Sequence, residues 1–479
     1  MDLFRSIAKL FGARFATSVI SFTGLTFFAQ SIGAEQLGIF FLFQAVINIS
    51  MLPANFGLRG AMEKRVSGST EGDSFFSTTI LLKIFPLAII SALIIAFDQS
   101  LNEYIGAEVA GLVVLGLVIE EANQVVIHLL RGELRVSRSA DLLLLKQLVW
   151  VGGGAVAVVY FESGAEGLVM SWILGSAVTF SFGMYIKSTT LGTVSWHKAQ
   201  SLFNYAKFDV VSGTGATLFS WLDVIIIGFF LTQTAVGAYE TAWRLSAVAV
   251  MFGNAVRSAI FPQISAWEST DAFGKISSTL TDIVSASLFF VIPSIVGIIV
   301  LAEELLVIVF GQEFVIATIA LSILIGQKLF QALNQSIGRT LQAINFPDLA
   351  AYAMIVGVLT NILLNFVLID QYGIEGAAVA TFTSYGLMTL TRTYYLSNHM
   401  DIVIEWRDVG WFVVAASVMG VAVWQVKSTV GVDGIYSLLG VVGLGVIVYF
   451  LLTFLSPTVR SKVITKASDL FGNTTSVGD

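Results

Sequence analysis

Cysteine is absent from this chain of 479 residues, and with it go any disulfide framework, thiolate metal site or cysteine nucleophile. Histidine is scarce: His128, His197 and His399 are scattered and cannot build a metal cluster on their own. Charge is scarce too. Asp, Glu, Lys and Arg make up 12% of the residues, half of the roughly 25% usual in soluble proteins. The remainder is dominated by apolar runs, with 56% hydrophobic residues and a mean hydropathy of +0.85, the composition of a polytopic membrane protein. The net charge of −7, from 25 basic and 32 acidic residues, is small for the length and argues against nucleic acid as a partner. No phosphate-binding P-loop is present, which argues against direct drive by ATP, and no cofactor motif is evident. The first apolar run lacks a small-residue cleavage site and leads straight into a second, so no cleavable signal peptide is expected.

What is present is a series of apolar stretches of about 20 residues, the length that crosses a bilayer as a helix. Fourteen can be placed, at 10–30, 37–57, 76–97, 106–130, 141–161, 166–186, 207–231, 235–256, 280–301, 314–336, 349–370, 374–396, 408–427 and 433–455. Alternate connections are basic, holding Arg59, Lys64 and Arg65, then Arg131, Arg135 and Arg138, then Lys187, Lys198 and Lys207. Arg257 and Lys275, Arg392 and Arg407, and the tail residues Arg460, Lys462 and Lys466 continue the series. The intervening connections hold one basic residue, Lys427. Basic loops stay in the cytoplasm, so both termini are expected there. No connection is long enough for a soluble domain.

The halves resemble each other at an offset near 200. GAEQLGIFFLFQ at Gly33 matches QTAVGAYETAWR at Gln233, with Gly38 on Gly237; FGLRGA falls on NAVRSA, and SGAEGLV on YGIEGAA. Six spans return the chain to its starting side, so spans 1–6 and 7–12 are expected to be parallel repeats. Parallel repeats are a transporter architecture with the substrate site at mid-membrane depth between lobes. The expected fold is all-α, with an N-lobe over 1–198, a C-lobe over 199–400, spans 13 and 14 over 401–456, and a cytoplasmic tail over 457–479.

Ionisable groups at mid-membrane depth face a cavity or a partner. Arg244 lies ~13 Å along its helix from the outer loop at 1.5 Å per residue. Asp223, Glu120, Glu121 and Lys328 fall at similar depth. An offset of 208 places Glu120 on Lys328, so equivalent positions carry opposite charge, either as a salt bridge between lobes or as distinct walls of a cavity. Glu240 is one turn from Arg244 and either neutralises it or leaves it facing the cavity. Arg14, Arg59 and Arg257 sit near cytoplasmic ends as anchors or cavity residues, and Lys83 and Lys146 as anchors. His128 reads as a packing residue, and Tyr239 and Trp243 as packing or as platforms for a sugar ring. Pro53, Pro86 and Pro293 lie within spans, where a freed carbonyl permits bending.

Several segments together resemble a known family. GAEQLGIFFLFQAV followed by NFGLRGA, VGAYETAWRL followed by IFPQIS, FGQEF, and INFPDLAAYAMIVGVLTNILLNFVLIDQYGIEGAAVAT resemble the polysaccharide-export branch of the multidrug/oligosaccharidyl-lipid/polysaccharide transporter superfamily. The resemblance covers most of residues 5–400. It implies a flippase in a prokaryotic plasma membrane, not an enzyme, whose cargo is an oligosaccharide on undecaprenyl or dolichyl phosphate or pyrophosphate. It also implies a cationic cavity with Arg14, Arg59 and Arg244 as its basic residues. Two departures stand out: Arg59 falls at the very end of its span, and Glu240 accompanies Arg244. Lys328 adds to the cavity set; Asp223, Glu120, Glu121 and Glu240 are candidates for ion coupling by H⁺ or Na⁺ or for gating. Membrane lipids and glycan-assembly enzymes are candidate partners. A cation-coupled multidrug exporter of the same superfamily is the alternative, and a glycan polymerase is disfavoured because every outer loop is about a dozen residues or fewer.

Overall fold

A computed structural model describes residues 2–251, 253–254, 273–457 and 459–461, the side chains of 2–11, 13, 14, 208–213 and 273 excepted. Its regular elements are helical, as hydrocarbon requires of a backbone that must satisfy its own polar groups. In chain order the helices are α1 (Asp2–Asn55), α2 (Leu58–Ser67), α3 (Gly72–Ala96), α4 (Asp98–Ile105), α5 (Ala110–Gly132), α6 (Val136–Tyr160) and α7 (Ala165–Ile186). They continue as α8 (Trp196–Phe230), α9 (Gln233–Ala247), α10 (Phe273–Val309), α11 (Thr318–Ala343), α12 (Pro347–Ser397), α13 (Trp406–Val430) and α14 (Ile435–Phe454). Among the described residues, ten helices are long and apolar enough to cross a membrane, and Thr214–Phe230 within α8 is a shorter apolar stretch.

The structure departs from the sequence reading where glycine replaces a loop. Spans 1 and 2 were expected to be joined by SIGAEQLG, and spans 11 and 12 by DQYGIEG. At each joint two helices meet at a single non-helical residue, Gly33 in α1 (φ 77°, ψ 179°) and Gly373 in α12 (φ 58°, ψ −139°), with no loop between them. Those dihedrals suit a residue without Cβ, so one glycine redirects the chain where a loop was anticipated. A second departure follows α1. Phe56 (φ 42°) and Gly57 (φ 75°) are left-handed and end the helix, and α2 starts at Leu58 as a separate element.

The chain divides into two compact units. The first comprises Met1–Thr241 and Val358–Ala377. In it α6 packs on α7 and α1, α5 on α7, and α2 on α5. Phe28, Phe40, Phe41 and Phe43 of α1 are fully buried, Phe40 stacking on Trp150 at 5.5 Å and Phe43 meeting Trp172 edge-on at 5.9 Å. One crossing is closer than any side chain allows. A Cβ on Gly38 would strike the carbonyl oxygen of Gln233, and a Cβ on Gly237 would strike that of Ala34. Segment 187–195, between α7 and α8, is pinned by two carboxylates. Glu133 accepts hydrogen bonds from the backbone of Ser188 and Thr189, and Asp73 from the backbone and hydroxyl of Thr190.

The second unit comprises Ala242–Gly357 and Ala378–Asp479. There α10 packs on α11 and α13, and α13 on α14. Phe289 gathers Phe412, Tyr449 and Phe450 at 5.4–5.6 Å, and Tyr449 Oη donates to the Phe289 carbonyl at 2.8 Å. Lys427, the outlier in the charge alternation, is neutralised by Glu304 at 2.7 Å. Leu439, Ile447 and Leu451 of this unit, like Leu81, Ile84 and Phe85 of the first, are exposed, as side chains that face lipid rather than water would be.

Candidate functional site

In the first unit α1, α2, α5 and α8 enclose a polar cavity of about 330 Å³, lined by Asn48, Asn55, Arg59, Gln124, His128 and Thr217 among others. The break after α1 builds it. Because the chain turns at Phe56–Gly57 instead of running on, Arg59 enters the first turn of α2 and faces the cavity. Asn55 Oδ1 accepts the Arg59 backbone N–H at 3.1 Å, satisfying one donor of that first turn. The same oxygen accepts Lys83 Nζ at 3.0 Å, and Lys83 forms a close ion pair with Glu121. Arg59 Nη2 lies 3.3 Å from the other oxygen of Glu121. Arg59 is thus a cavity residue, and its position at the end of an expected span did not make it a surface anchor.

Neither Lys83 nor Lys146 is an anchor. Lys83 is buried, and Lys146 Nζ lies 2.5 Å from Glu120 and 4.3 Å from the Trp172 ring centroid. Glu120 also accepts from Gln124 Nε2 and Ser176 Oγ, both at 2.7 Å. The adjacent carboxylates therefore face different cations: Glu120 is matched by Lys146 alone, whereas Glu121 is shared by two. Low dielectric makes such pairing obligatory, because removing one member of a buried pair costs about 3–5 kcal/mol. His128, read as packing, holds Glu63 through Nδ1 at 2.7 Å and lines the cavity as well.

A second polar cluster of this unit surrounds Asp223. One carboxylate oxygen accepts from Asn365 at 2.7 Å and Asn361 at 3.2 Å, the other from Tyr239 Oη at 2.7 Å. All four residues are buried. Tyr239 is thereby a hydrogen-bond donor to a carboxylate rather than a sugar platform. Asn361 and Asn365 were missed in the sequence, although two asparagines one turn apart in TNILLNF are a legible polar stripe in an apolar span.

Glu240, in α9, is buried. Arg244 sits in the last turn of α9, half-buried, just before the 3₁₀ stretch Val248–Val250. Neither is without a partner. In the second unit Lys328 is fully buried, its ammonium 3.3 Å from the Trp243 ring centroid, a cation–π contact that is strong where water is excluded. Arg392, expected in a cytoplasmic connection, is also buried: it donates to the Ala350 carbonyl at 3.1 Å and to Asn334. Arg14 lies in α1 with its side chain outside the described ones, and Arg257 lies outside the described residues. Among the described residues no group of His, Asp and Glu has the arrangement of a metal site.

Comparison with known proteins agrees with this reading of the fold. The chain is 42% identical, over 96% of its length and 97% of the relative's, to the probable low-salt glycan biosynthesis flippase Agl15 of Haloferax volcanii. It is 28% identical, over 88% of its length and 90% of the relative's, to the probable flippase AglR of the same organism. Its fold matches the lipid II flippase MurJ in an inward closed conformation, with a TM-score of 0.78 over 95% of this chain and 99% of that one, at 16% identity. The polysaccharide biosynthesis protein family matches residues 32–318. With more than half of the chain inside that match, and a relative sharing nearly its full length, this multi-pass membrane protein belongs to the polysaccharide biosynthesis protein family.

Proposed function

We propose that the protein is a flippase. It moves an oligosaccharide linked to a polyprenyl phosphate or pyrophosphate from the cytoplasmic to the outer leaflet by alternating access, for surface polysaccharide or protein glycosylation. The observation that carries this is the 42% identity, over 96% of the chain, to a glycan biosynthesis flippase. We further propose fourteen spans in two parallel six-span repeats, divided near residues 198 and 400, with two additional C-terminal spans and both termini in the cytoplasm of a prokaryote. The breaks at Gly33 and Gly373, together with Thr214–Phe230 and α9, support that number beside the ten long helices. The Gly38–Gln233 and Gly237–Ala34 contacts support the repeat, since Gly237 and Ala34 are the equivalents of Gly38 and Gln233 at an offset of ~199, the reciprocity of a two-fold relation.

Arg59, Arg244, Arg14 and Lys328 supply the positive charge that the phosphate requires. A guanidinium is suited to this because its planar fork donates two parallel hydrogen bonds and it stays charged at any physiological pH. Asp223 takes the coupling ion, H⁺ or Na⁺, and Glu240 and Glu121 act as gating counter-ions. Glu120, satisfied by Lys146, Gln124 and Ser176, holds the bundle together. No chemical bond is made or broken, so the protein acts as a transporter without a catalytic residue. The multidrug alternative needs carboxylates available to cationic drugs, and the pairing of Glu120 and Glu121 with lysines counts against it.

The test is export in cells. Arg59→Ala or Arg244→Ala is expected to abolish surface glycan while protein level and membrane insertion stay normal, read by glycan staining and immunoblot. Normal surface glycan in both variants would refute the cationic cavity. Drug sensitivity with normal glycans in a deletion strain would favour the multidrug exporter.

A further inference from the structure

Around the cavity of the first unit the charges do not cancel. Glu120 and Lys146 balance one another. Glu121 faces two cations, so the Arg59–Glu121–Lys83 triad holds one net positive charge, with both Glu121 and Lys83 about 95% removed from solvent. The two contacts to Glu121 also differ in quality. Lys83 hydrogen-bonds Oε1 closely and is fixed from behind by Asn55 Oδ1 at 3.0 Å. Arg59 reaches Oε2 at 3.3 Å without hydrogen-bond geometry: Glu121 Oε2 and Arg59 Nε are both buried polar atoms that make no hydrogen bond. Buried donors and acceptors left in that condition have lost the hydrogen bonds that water would supply. The side chain holding the unused donor is the one lining the cavity. The other acidic group near this wall, Glu63, is paired with His128 and 35% exposed, so water weakens its field.

We infer that Lys83 is a positioning residue for Arg59, acting through Glu121. Lys83 keeps Glu121 occupied, so that Glu121 does not consume the charge of the Arg59 guanidinium, which can exchange a weak contact for a phosphate ester. This rests on the flippase reading for the nature of the anion and goes beyond it in naming what prepares the arginine. Were Lys83 neutral, Glu121 would close on Arg59 as its sole counter-ion and compete with the phosphate. Neutralising both restores a guanidinium with nothing to compete for it. The buried lysine thus acts on the cargo through two other side chains, never touching it.

The test uses the full chain in lipid nanodiscs, with geranylgeranyl phosphate as probe and geranylgeraniol as the uncharged control, binding being read from tryptophan fluorescence and folding from thermal unfolding. Wild type is expected to prefer the phosphate by about tenfold or more, the worth of one charge-assisted contact. Arg59→Gln and Lys83→Gln are each expected to bring that preference close to one. Lys83→Arg is expected to keep it, and the pair Lys83→Gln with Glu121→Gln to recover it. A merely structural lysine would give the opposite order, with the double variant no better than the single one. A folded Lys83→Gln protein with wild-type preference, or a double variant that stays at the single-variant level, overturns the inference while leaving the phosphate reading intact. Equal binding of phosphate and alcohol by wild type overturns both. If Lys83→Gln does not fold, Glu121→Gln decides: preference at or above wild type supports the positioning role, and a fall contradicts it.

Discussion

At the scale of residues, the polar groups of this protein are matched in pairs that composition alone cannot assign. Glu120 and Glu121 are neighbours in sequence, yet one is saturated by Lys146, Gln124 and Ser176 and the other bridges Lys83 and Arg59. Their roles should therefore separate on mutation. Lys146→Met leaves Glu120 buried without its cation and is expected to cost about 3–5 kcal/mol, read as lower thermal stability in detergent. Adding Glu120→Gln to it should return most of that loss. Asp223→Asn removes the charge that Tyr239, Asn361 and Asn365 converge upon. It is expected to make flipping insensitive to H⁺ and Na⁺ gradients while the protein remains folded, measured as transport rate against imposed gradients; a rate that still follows either gradient would remove Asp223 from coupling. The sequence showed that Glu120, Glu121, Asp223 and Lys328 interrupt apolar runs, and all four are buried. It did not show who pairs with whom, since Lys83 and Glu121 are 38 positions apart and meet only through the packing of α3 on α5. That is why Lys83 and Lys146 read as anchors and Asn55, Asn361 and Asn365 went unnoticed.

At the scale of elements, glycines decide where helices turn and where they touch. The breaks at Gly33 and Gly373 hold backbone conformations that cost a residue with a Cβ about 1–3 kcal/mol. Gly33→Ala and Gly373→Ala should each lower the unfolding midpoint, whereas Gly12→Ala, at an open position, should not. The crossing of Gly38 and Gly237 is tighter still, because backbone atoms of the facing helix occupy the space of a side chain. Gly237→Leu forces those backbones apart and is expected to cost at least about 1–3 kcal/mol, checked by thermal unfolding of the purified protein. The helical fold was legible because ~20-residue apolar runs have few solutions in a bilayer. The form of the joints was not, since a glycine in a short polar stretch reads the same whether it starts a loop or is itself the kink between two helices. The repeat match of Gly38 with Gly237 was legible, and the structure adds that these two positions are part of one crossing.

At the scale of the molecule, many large apolar side chains among the described residues are exposed while several charged ones are buried, and the cavity beside Arg59 is lined by polar groups. A soluble enzyme of this length would carry about twice this share of charged residues. That contrast, together with family membership, is the basis for the proposal that the cavity takes a lipid-linked anion. The most direct measurement is the flipping of a fluorescent polyprenyl-phosphate-linked oligosaccharide in proteoliposomes, followed by quenching of whichever leaflet the quencher reaches. Wild-type protein is expected to bring the lipid to the opposite leaflet well above the rate in empty liposomes, and Arg59→Ala to fall to that background. Transfer no faster than in empty liposomes, or undiminished in Arg59→Ala, would contradict the flippase assignment or the role given to its arginine.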